Sequence, residues 1–281
     1  MTNKRKEKAL PLAGIRLFLF DLDGTLYLGE RLFPYTVGLL EKIRRSGRRY
    51  LFMTNNSSKS AADYVRKLDR LGIAATEEDF VTSSEATAQY LLAHYRDRCI
   101  YVGGTRSLLA EFRAAGLDAT DILTDKVHCV VCGFDTELTF RKLEDLSRLL
   151  RDPDIPFIAT HPDLVCPTEY GAVPDCGAVC EMLYHATGRR PTVIGKPEPF
   201  MARMAMQRTG YGPEQTLVVG DRLYTDIACG RRAGAYTLLV LSGETTEEML
   251  RASSIHPTAC AADCGELLSA LECIPDIPDA L

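Results

Sequence analysis

Short apolar runs alternate with amphipathic stretches along most of this chain. Residues 15–20, Ile-Arg-Leu-Phe-Leu-Phe, read as a strand, and their near-continuous apolar character suits a parallel strand covered on both faces. From 36 to 47 the period becomes helical, with Val37, Leu40 and Ile43 along one side and Arg44, Arg45 and Arg48 tending outward. Residues 50–53 predict a second strand. A second helix follows at about 58–71, carrying Val65, Leu68 and Leu71 at three-residue spacing. Further strands are predicted at 100–102, 127–132, 156–159, 192–194, 216–219 and 236–241. Helices are predicted at about 107–115, 140–151, 177–187, 200–209 and 225–233, with helical segments ending the chain. Strands alternating with helices of this length predict an α/β fold on a parallel sheet. No internal repeat or low-complexity segment breaks the pattern.

Composition narrows the function classes. At 281 residues, with 46% hydrophobic and 25% charged positions, the chain has material for one large domain or two modest ones. A net charge of −5 offers no general attraction for nucleic acid or an anionic membrane surface, so neither partner is expected. No apolar run approaches the ~18 residues of a membrane span. The basic run at 1–8 is not followed by a signal-peptide apolar region, which points to a cytoplasmic protein whose ten cysteines are reduced. Cys129 and Cys132 flank Val130-Val131 in a predicted strand, so they read as core residues, not zinc ligands.

Four polar groups follow predicted strands, at the carboxyl ends where open parallel sheets bind ligands. The first is Phe20-Asp21-Leu22-Asp23-Gly24-Thr25. Two carboxylates this close repel each other and call for a cation or a proton between them; Mg2+, which favours oxygen ligands, is the natural candidate. A plain polar turn is the alternative. The second is Thr54-Asn55-Asn56-Ser57-Ser58, where hydroxyls and N–H groups at a helix start could hold an anion, or where Ser57 or Ser58 simply caps the helix. Third comes Gly195-Lys196-Pro197: the lysine could neutralise a phosphoryl group, or face solvent. The fourth is Gly220-Asp221 with Asp226 five residues on. Asp221 stands where a metal ligand would meet Asp21 and Asp23, and Asp226 would support the ion through water or complement a helix dipole. The candidate residues fall before about residue 60 and after about 195, which leaves the stretch between them free to form an inserted domain.

Asp21-Leu-Asp23-Gly-Thr25, Thr54-Asn55, Lys196-Pro197 and Gly220-Asp221…Asp226 resemble, in order, the four motifs of the haloacid dehalogenase (HAD) superfamily. Val131-Cys132-Gly133-Phe134-Asp135 and Ala159-Thr160-His161-Pro162-Asp163 resemble the NagD-like, p-nitrophenylphosphatase-like branch, subfamily IIA, which includes phosphoglycolate and pyridoxal phosphate phosphatases. The resemblance implies a doubly wound, Rossmann-like core at 1–82 and 192–281 and an inserted C2 cap at 83–191. It implies an Mg2+-dependent phosphatase for a small phosphorylated metabolite, such as a sugar phosphate, nucleotide, phosphoglycolate or pyridoxal phosphate. Asp21 would be the nucleophile and Asp23 the acid and base. The Asp21 side chain, the Asp23 backbone carbonyl and Asp221, with Asp226 in support, would bind Mg2+, while Thr54, Asn55, Asn56 and Lys196 hold the phosphoryl group. His161 and Asp163 are expected on a cap loop near the substrate, and a homodimer through the cap is expected from relatives. Transfer of the phosphoryl group to a sugar hydroxyl, or a non-catalytic phosphometabolite-binding role, would use the same residues.

Overall fold

The computed structural model describes residues 10–168 and 170–277, so the basic run at 1–8 lies outside the described residues. By its contacts the chain forms two compact units, Met1–Met53 with Leu68–Phe80 and Pro197–Leu281, and Thr54–Lys67 with Val81–Lys196. The second unit thus takes in Thr54–Lys67, which the sequence pattern groups with the core, and it ends at Lys196, beyond the expected boundary at 191.

The first elements are β1 (Leu17–Phe20), a small hairpin of β2 (Tyr27–Leu28) and β3 (Arg31–Leu32), α1 (Thr36–Arg45) and β4 (Arg49–Thr54). There follow α2 (Ala61–Arg70), β5 (Phe80–Thr82), α3 (Ser83–His94), β6 (Cys99–Gly103), α4 (Arg106–Ala114), β7 (Ala119–Thr120) and β8 (Val127–Cys132). Then come α5 (Phe140–Leu149), β9 (Phe157–Ala159), β10 (Val165–Thr168), β11 (Gly171–Pro174), α6 (Cys176–Thr187) and β12 (Thr192–Val193). The chain closes with α7 (Phe200–Thr209), β13 (Thr216–Gly220), α8 (Ala228–Arg232), β14 (Tyr236–Val240), α9 (Glu247–Ala252), β15 (Ala259–Ala261) and α10 (Cys264–Glu272).

One sheet has the order β15-β14-β13-β1-β4-β5, and its registered pairs are parallel. Its central strand β1 is fully buried from Leu17 to Phe20, as a strand covered on both faces must be. The second sheet, β12-β9-β8-β6-β7, is also parallel and belongs to the second unit. Its core packs Tyr101, Val130, Cys132, Leu146, Phe157 and Leu183. Cys129 and Cys132 are buried free thiols there, as their place in the apolar run implied. Among the described residues no helix is long and apolar enough to cross a membrane.

The elements absent from the sequence reading are those with no period to detect. Helix α3 buries Ser83, Ser84, Ala86, Thr87 and Ala88, so its inner face is small and polar and leaves no apolar stripe. Strands of two or three residues such as β2, β7 and β15 are too short to alternate. The helix expected at 225–233 starts instead as a π-helical turn, Leu223–Ile227, and becomes α-helical only at α8.

Helix α8 lies tight on the first sheet. A Cβ on Gly230 would stand 2.5 Å from Thr237 Cγ2 and 2.9 Å from Val218 Cβ. Alanine gains about 1 kcal/mol of helix propensity over glycine, but overpacking a close interface costs ~1–3 kcal/mol. Overpacking wins because β-branched strand residues have no long, flexible end to swing aside. Gly230→Ala is therefore expected to lower the urea midpoint of unfolding; a raised midpoint would show that α8 shifts freely.

Candidate active site

Strands β1 and β13 pair in parallel with Phe20 opposite Val219, and the Asp21 N–H donates to the Val219 carbonyl at 2.9 Å. Strand β1 sits between β4, which follows it in the chain, and β13, which arrives much later. The order therefore reverses beside β1, and the carboxyl ends of the strands at such a point are where open α/β sheets bind ligands. Asp21 and Asp221 leave the sheet at this point.

Asp21, Asp221 and Asp226 each place a carboxylate oxygen within 4.8 Å of the others. Asp226 reaches the cluster from the π-helical turn, and its Oδ2 accepts the Arg222 N–H at 3.1 Å. Missing side chains make the approach possible. A Cβ on Gly220 would overlap the Asp226 carboxyl group, and one on Gly24 or Gly243 would overlap that of Asp221. Gly24 is doubly constrained, because its φ is +82°.

Asp221 is 2% exposed. Its Oδ2 accepts the Glu244 N–H at 2.6 Å, while its Oδ1 is buried and accepts no hydrogen bond. Burial, and then the charges of Asp21 and Asp226, push its pKa up to about 8. Arg222 offsets little, since its guanidinium is already paired with Glu244 at 2.8 Å. Three hard oxygen donors, one without a partner, and a surplus of negative charge fit a divalent cation. Asp23 does not share in this cluster: its side chain is exposed and its backbone bridges to Tyr27. The side chains that gather are thus Asp21, Asp221 and Asp226, which leaves Asp23 only its backbone carbonyl to offer a cation. The reason is that β1 ends at Phe20, and the strand geometry that would align both carboxylates does not continue past it.

The second group of residues is built within the other unit. Thr54 Oγ1 accepts the Asn56 N–H at 3.2 Å, and Asn56 Oδ1 accepts from the N–H and hydroxyl of Ser58 at 2.9 and 2.7 Å. Neither Ser57 nor Ser58 caps the helix. That task falls to Ser60, whose Oγ accepts the Asp63 N–H at 3.3 Å while Asp63 Oδ2 accepts the Ser60 N–H at 2.9 Å. Ser57 is drawn elsewhere, accepting the Phe134 N–H at 2.9 Å and lying 3.0 Å from the Thr160 hydroxyl.

Asn55 has a different task from the one expected. Its Oδ1 accepts the Lys196 N–H at 2.8 Å, and its Nδ2 donates to the Lys196 carbonyl at 2.9 Å and to Asp163 Oδ2 at 3.1 Å. Both N–H donors of the side-chain amide are engaged, so it clasps the Lys196 backbone as a neighbouring strand would, and the Asn55 backbone N–H is the group left to face a phosphoryl oxygen. Gly195 makes room, since a Cβ there would stand 2.5 Å from the Thr160 carbonyl oxygen and 2.7 Å from Asn55 Oδ1. Lys196 itself is 2% exposed, unlike a solvent-facing lysine.

His161 is fully buried, with Nδ1 3.5 Å from Asp163 Oδ2 and Nε2 3.5 Å from Asp175 Oδ1. Burial works to lower its pKa, but the Asp163 carboxylate beside the ring and the charge of Asp175 outweigh it and push the value up to about 9. His161 and Asp163, expected on a cap loop near the substrate, are both buried here, with the histidine ring beside two carboxylates. Asp175 was not singled out from the sequence. The available signal was its place two residues before a predicted helix, and it does cap α6.

Two family models match the chain. One, described as haloacid dehalogenase-like hydrolase, covers residues 18–118, and a HAD-hydrolase-like model covers 193–267. Chronophin of Mus musculus is 36% identical over 83% of this chain and 83% of its own length. A 5'-nucleotidase of Bacillus subtilis is 35% identical over 86% of this chain and 93% of its own. Among solved structures, a 4-nitrophenylphosphatase from Thermotoga maritima superposes with a TM-score of 0.86 at 40% identity, covering 92% of this chain and 98% of that one.

The raised pKa of Asp221 fixes the sign of a pH effect. The folded state holds this proton more tightly than the unfolded chain, so the penalty is absent below pH ~4 and grows as the pH rises towards 8. A divalent cation that binds only the folded cluster removes the penalty and adds about 2.7 kcal/mol at a hundredfold excess over Kd. Thermal unfolding is expected to show a larger rise in midpoint on adding Mg2+ at pH 8 than at pH 5. Asp221→Asn should erase most of that rise, and an equal rise in the variant would place the cation elsewhere.

Proposed function

This chain belongs to the haloacid dehalogenase-like hydrolases, and we propose that it cleaves phosphate monoesters through an aspartyl-phosphate formed on Asp21. It lies in the NagD-like branch, subfamily IIA, and is a phosphoric monoester hydrolase for small phosphorylated substrates. The observation that carries the mechanism is the cluster of Asp21, Asp221 and Asp226 with a buried Asp221 oxygen that lacks a hydrogen bond.

Mg2+, held by Asp21, Asp221 and the Asp23 carbonyl with support from Asp226, would supply neutralising charge between carboxylates and phosphoryl oxygens. The chain's own groups do the rest. An Asp21 carboxylate oxygen attacks phosphorus as the ester P–O bond breaks, and the leaving oxygen takes the Asp23 proton. Asp23, now a carboxylate, takes a proton from the water that attacks the aspartyl-phosphate, which releases phosphate and restores Asp21. An exposed Asp23 suits a group that must exchange its proton between two steps. Thr54, Asn55, Asn56 and the Lys196 ammonium would hold the transferring phosphoryl group. Positioning and neutralisation of this kind account for most of the catalysis in phosphoryl transfer.

The substrate is a small phosphorylated metabolite of the sugar phosphate, nucleotide, phosphoglycolate or pyridoxal phosphate class. A cytoplasmic location agrees with ten free cysteines, several of them buried.

Release of phosphate from p-nitrophenyl phosphate should require Mg2+. Asp21→Asn should lower kcat by ~10³-fold or more and Asp23→Asn by ~10²–10⁴-fold. Turnover by Asp21→Asn at the wild-type rate would reject the nucleophile.

A further inference from the structure

The group of His161, Asp163 and Asp175 is more buried than a loop exposed to substrate would be. Their exposures are 0%, 5% and 4%. Buried carboxylates need a positive partner or a proton, and the imidazole ring stands between the two. Its charge state matters for a geometric reason. A neutral ring has one N–H and would turn a lone pair towards one carboxylate, whereas the imidazolium has an N–H for each.

The segment carrying His161 is fixed at both ends. The Gly195 N–H donates to the Thr160 carbonyl and the Gly177 N–H to the Asp163 carbonyl, each at 2.8 Å. A Cβ on Gly177 would overlap the Pro162 carbonyl. Asp175 is held too, because its Oδ1 accepts the Cys176 N–H at 2.6 Å at the start of α6. From this rigid base Asp163 reaches out to the Asn55 amide, and Asn55 grips the Lys196 backbone at both its N–H and its carbonyl.

We propose that His161, Asp163 and Asp175 are positioning residues: the buried ring fixes the Asp163 carboxylate, which orients the Asn55 amide, which in turn sets the backbone from which Lys196 projects. The proposal rests on the reading of Lys196 as the cation that holds the phosphoryl group. It explains why a charged group far from water belongs to this site at all. The titratable groups facing the ring are Asp163, Asp175 and the Cys176 thiol, and the thiol is kept protonated by its hydrogen bond with Cys180 and by burial. The folded pKa of His161 lies above its ordinary 6.5, so the brace is at full strength below that pH and is lost as the pH rises through about 9.

The test is steady-state hydrolysis of p-nitrophenyl phosphate at saturating Mg2+ from pH 6 to 10, with folding followed by circular dichroism. Asp163→Leu removes the acceptor and is expected to lower kcat by about 10–100-fold, as loss of a supporting partner does, with a smaller change in KM. Asp163→Asn keeps an acceptor oxygen for Asn55 and should recover most of the loss. Asp163→Leu combined with Asn55→Ala should be no slower than the slower single variant, because both break one chain of contacts. His161→Gln should remove the fall in kcat that sets in near pH 9. Wild-type kcat in folded Asp163→Leu, or fully multiplying losses in the double variant, would overturn the proposal. Nitrogen-15 NMR of the His161 ring provides a measure independent of turnover and of Asp163→Leu folding. Two ring N–H groups at pH 7.5 are expected, and a neutral ring would overturn the brace. If the wild type hydrolysed nothing, the phosphatase reading would fall while the ring spectrum still decided the brace.

Discussion

Repulsion among three carboxylates is the constraint around which the first unit is arranged. With oxygens within 4.8 Å, each pair of charges would cost about 3 kcal/mol or more at an effective dielectric near 20. Three pairs together approach the whole stability of an ordinary domain, about 5–15 kcal/mol. The fold holds them there by force of register: Phe20 opposite Val219 puts the first residue after β1 beside the end of β13. Such a site is stable when it shares a proton or a cation. The pKa of Asp221, raised to about 8, expresses the proton solution, and its unpartnered oxygen expresses the cation solution.

The second unit meets the inverse problem in the same terms. Two carboxylates buried beside one imidazole hold the proton on the ring instead of on an acid. The first cluster fits a cation from outside; the second has a ring to hold the charge within the fold, and its Asp163 accepts a hydrogen bond from Asn55. That difference separates a site that binds an ion from a site that braces a neighbour.

Legibility in the sequence followed the physics of each feature. Strands buried on both faces announce themselves as unbroken apolar runs, which is why β1, β8 and β13 were placed within two residues of their observed limits. Asp21 and Asp221 stood out because each is the first residue past such a strand, whereas Asp226 lies in the following π-helical turn and Lys196 after the short, half-exposed β12. Their partners were not legible. The engagement of Asn55 depends on the Lys196 backbone, 141 residues away, and no local pattern encodes a contact of that separation. Asp23 differs from Asp21 because β1 ends at Phe20: the Asp23 side chain is exposed and stays outside the group of three carboxylates. The burial of His161 was not legible either, because it depends on Gly195 and Gly177, which pack against this segment from further along the chain.

Those glycines divide into two kinds, and the division locates the chemistry. Gly188 ends α6 with φ +73° and has open space where a Cβ would stand, so its demand is on the backbone alone. Gly195, Gly220 and Gly243 have no such dihedral demand, yet a Cβ on any of them would overlap a carbonyl or a carboxylate of the site. For these the missing atom itself is the requirement, because it lets polar groups stand closer together than side-chain-bearing residues allow. Close approach of polar groups is what both clusters exploit, one to concentrate negative charge and one to clasp a lysine. A glycine within a few residues of the carboxyl end of a parallel strand is therefore more informative here than a glycine in a turn: it marks where the backbone has been cleared for charge.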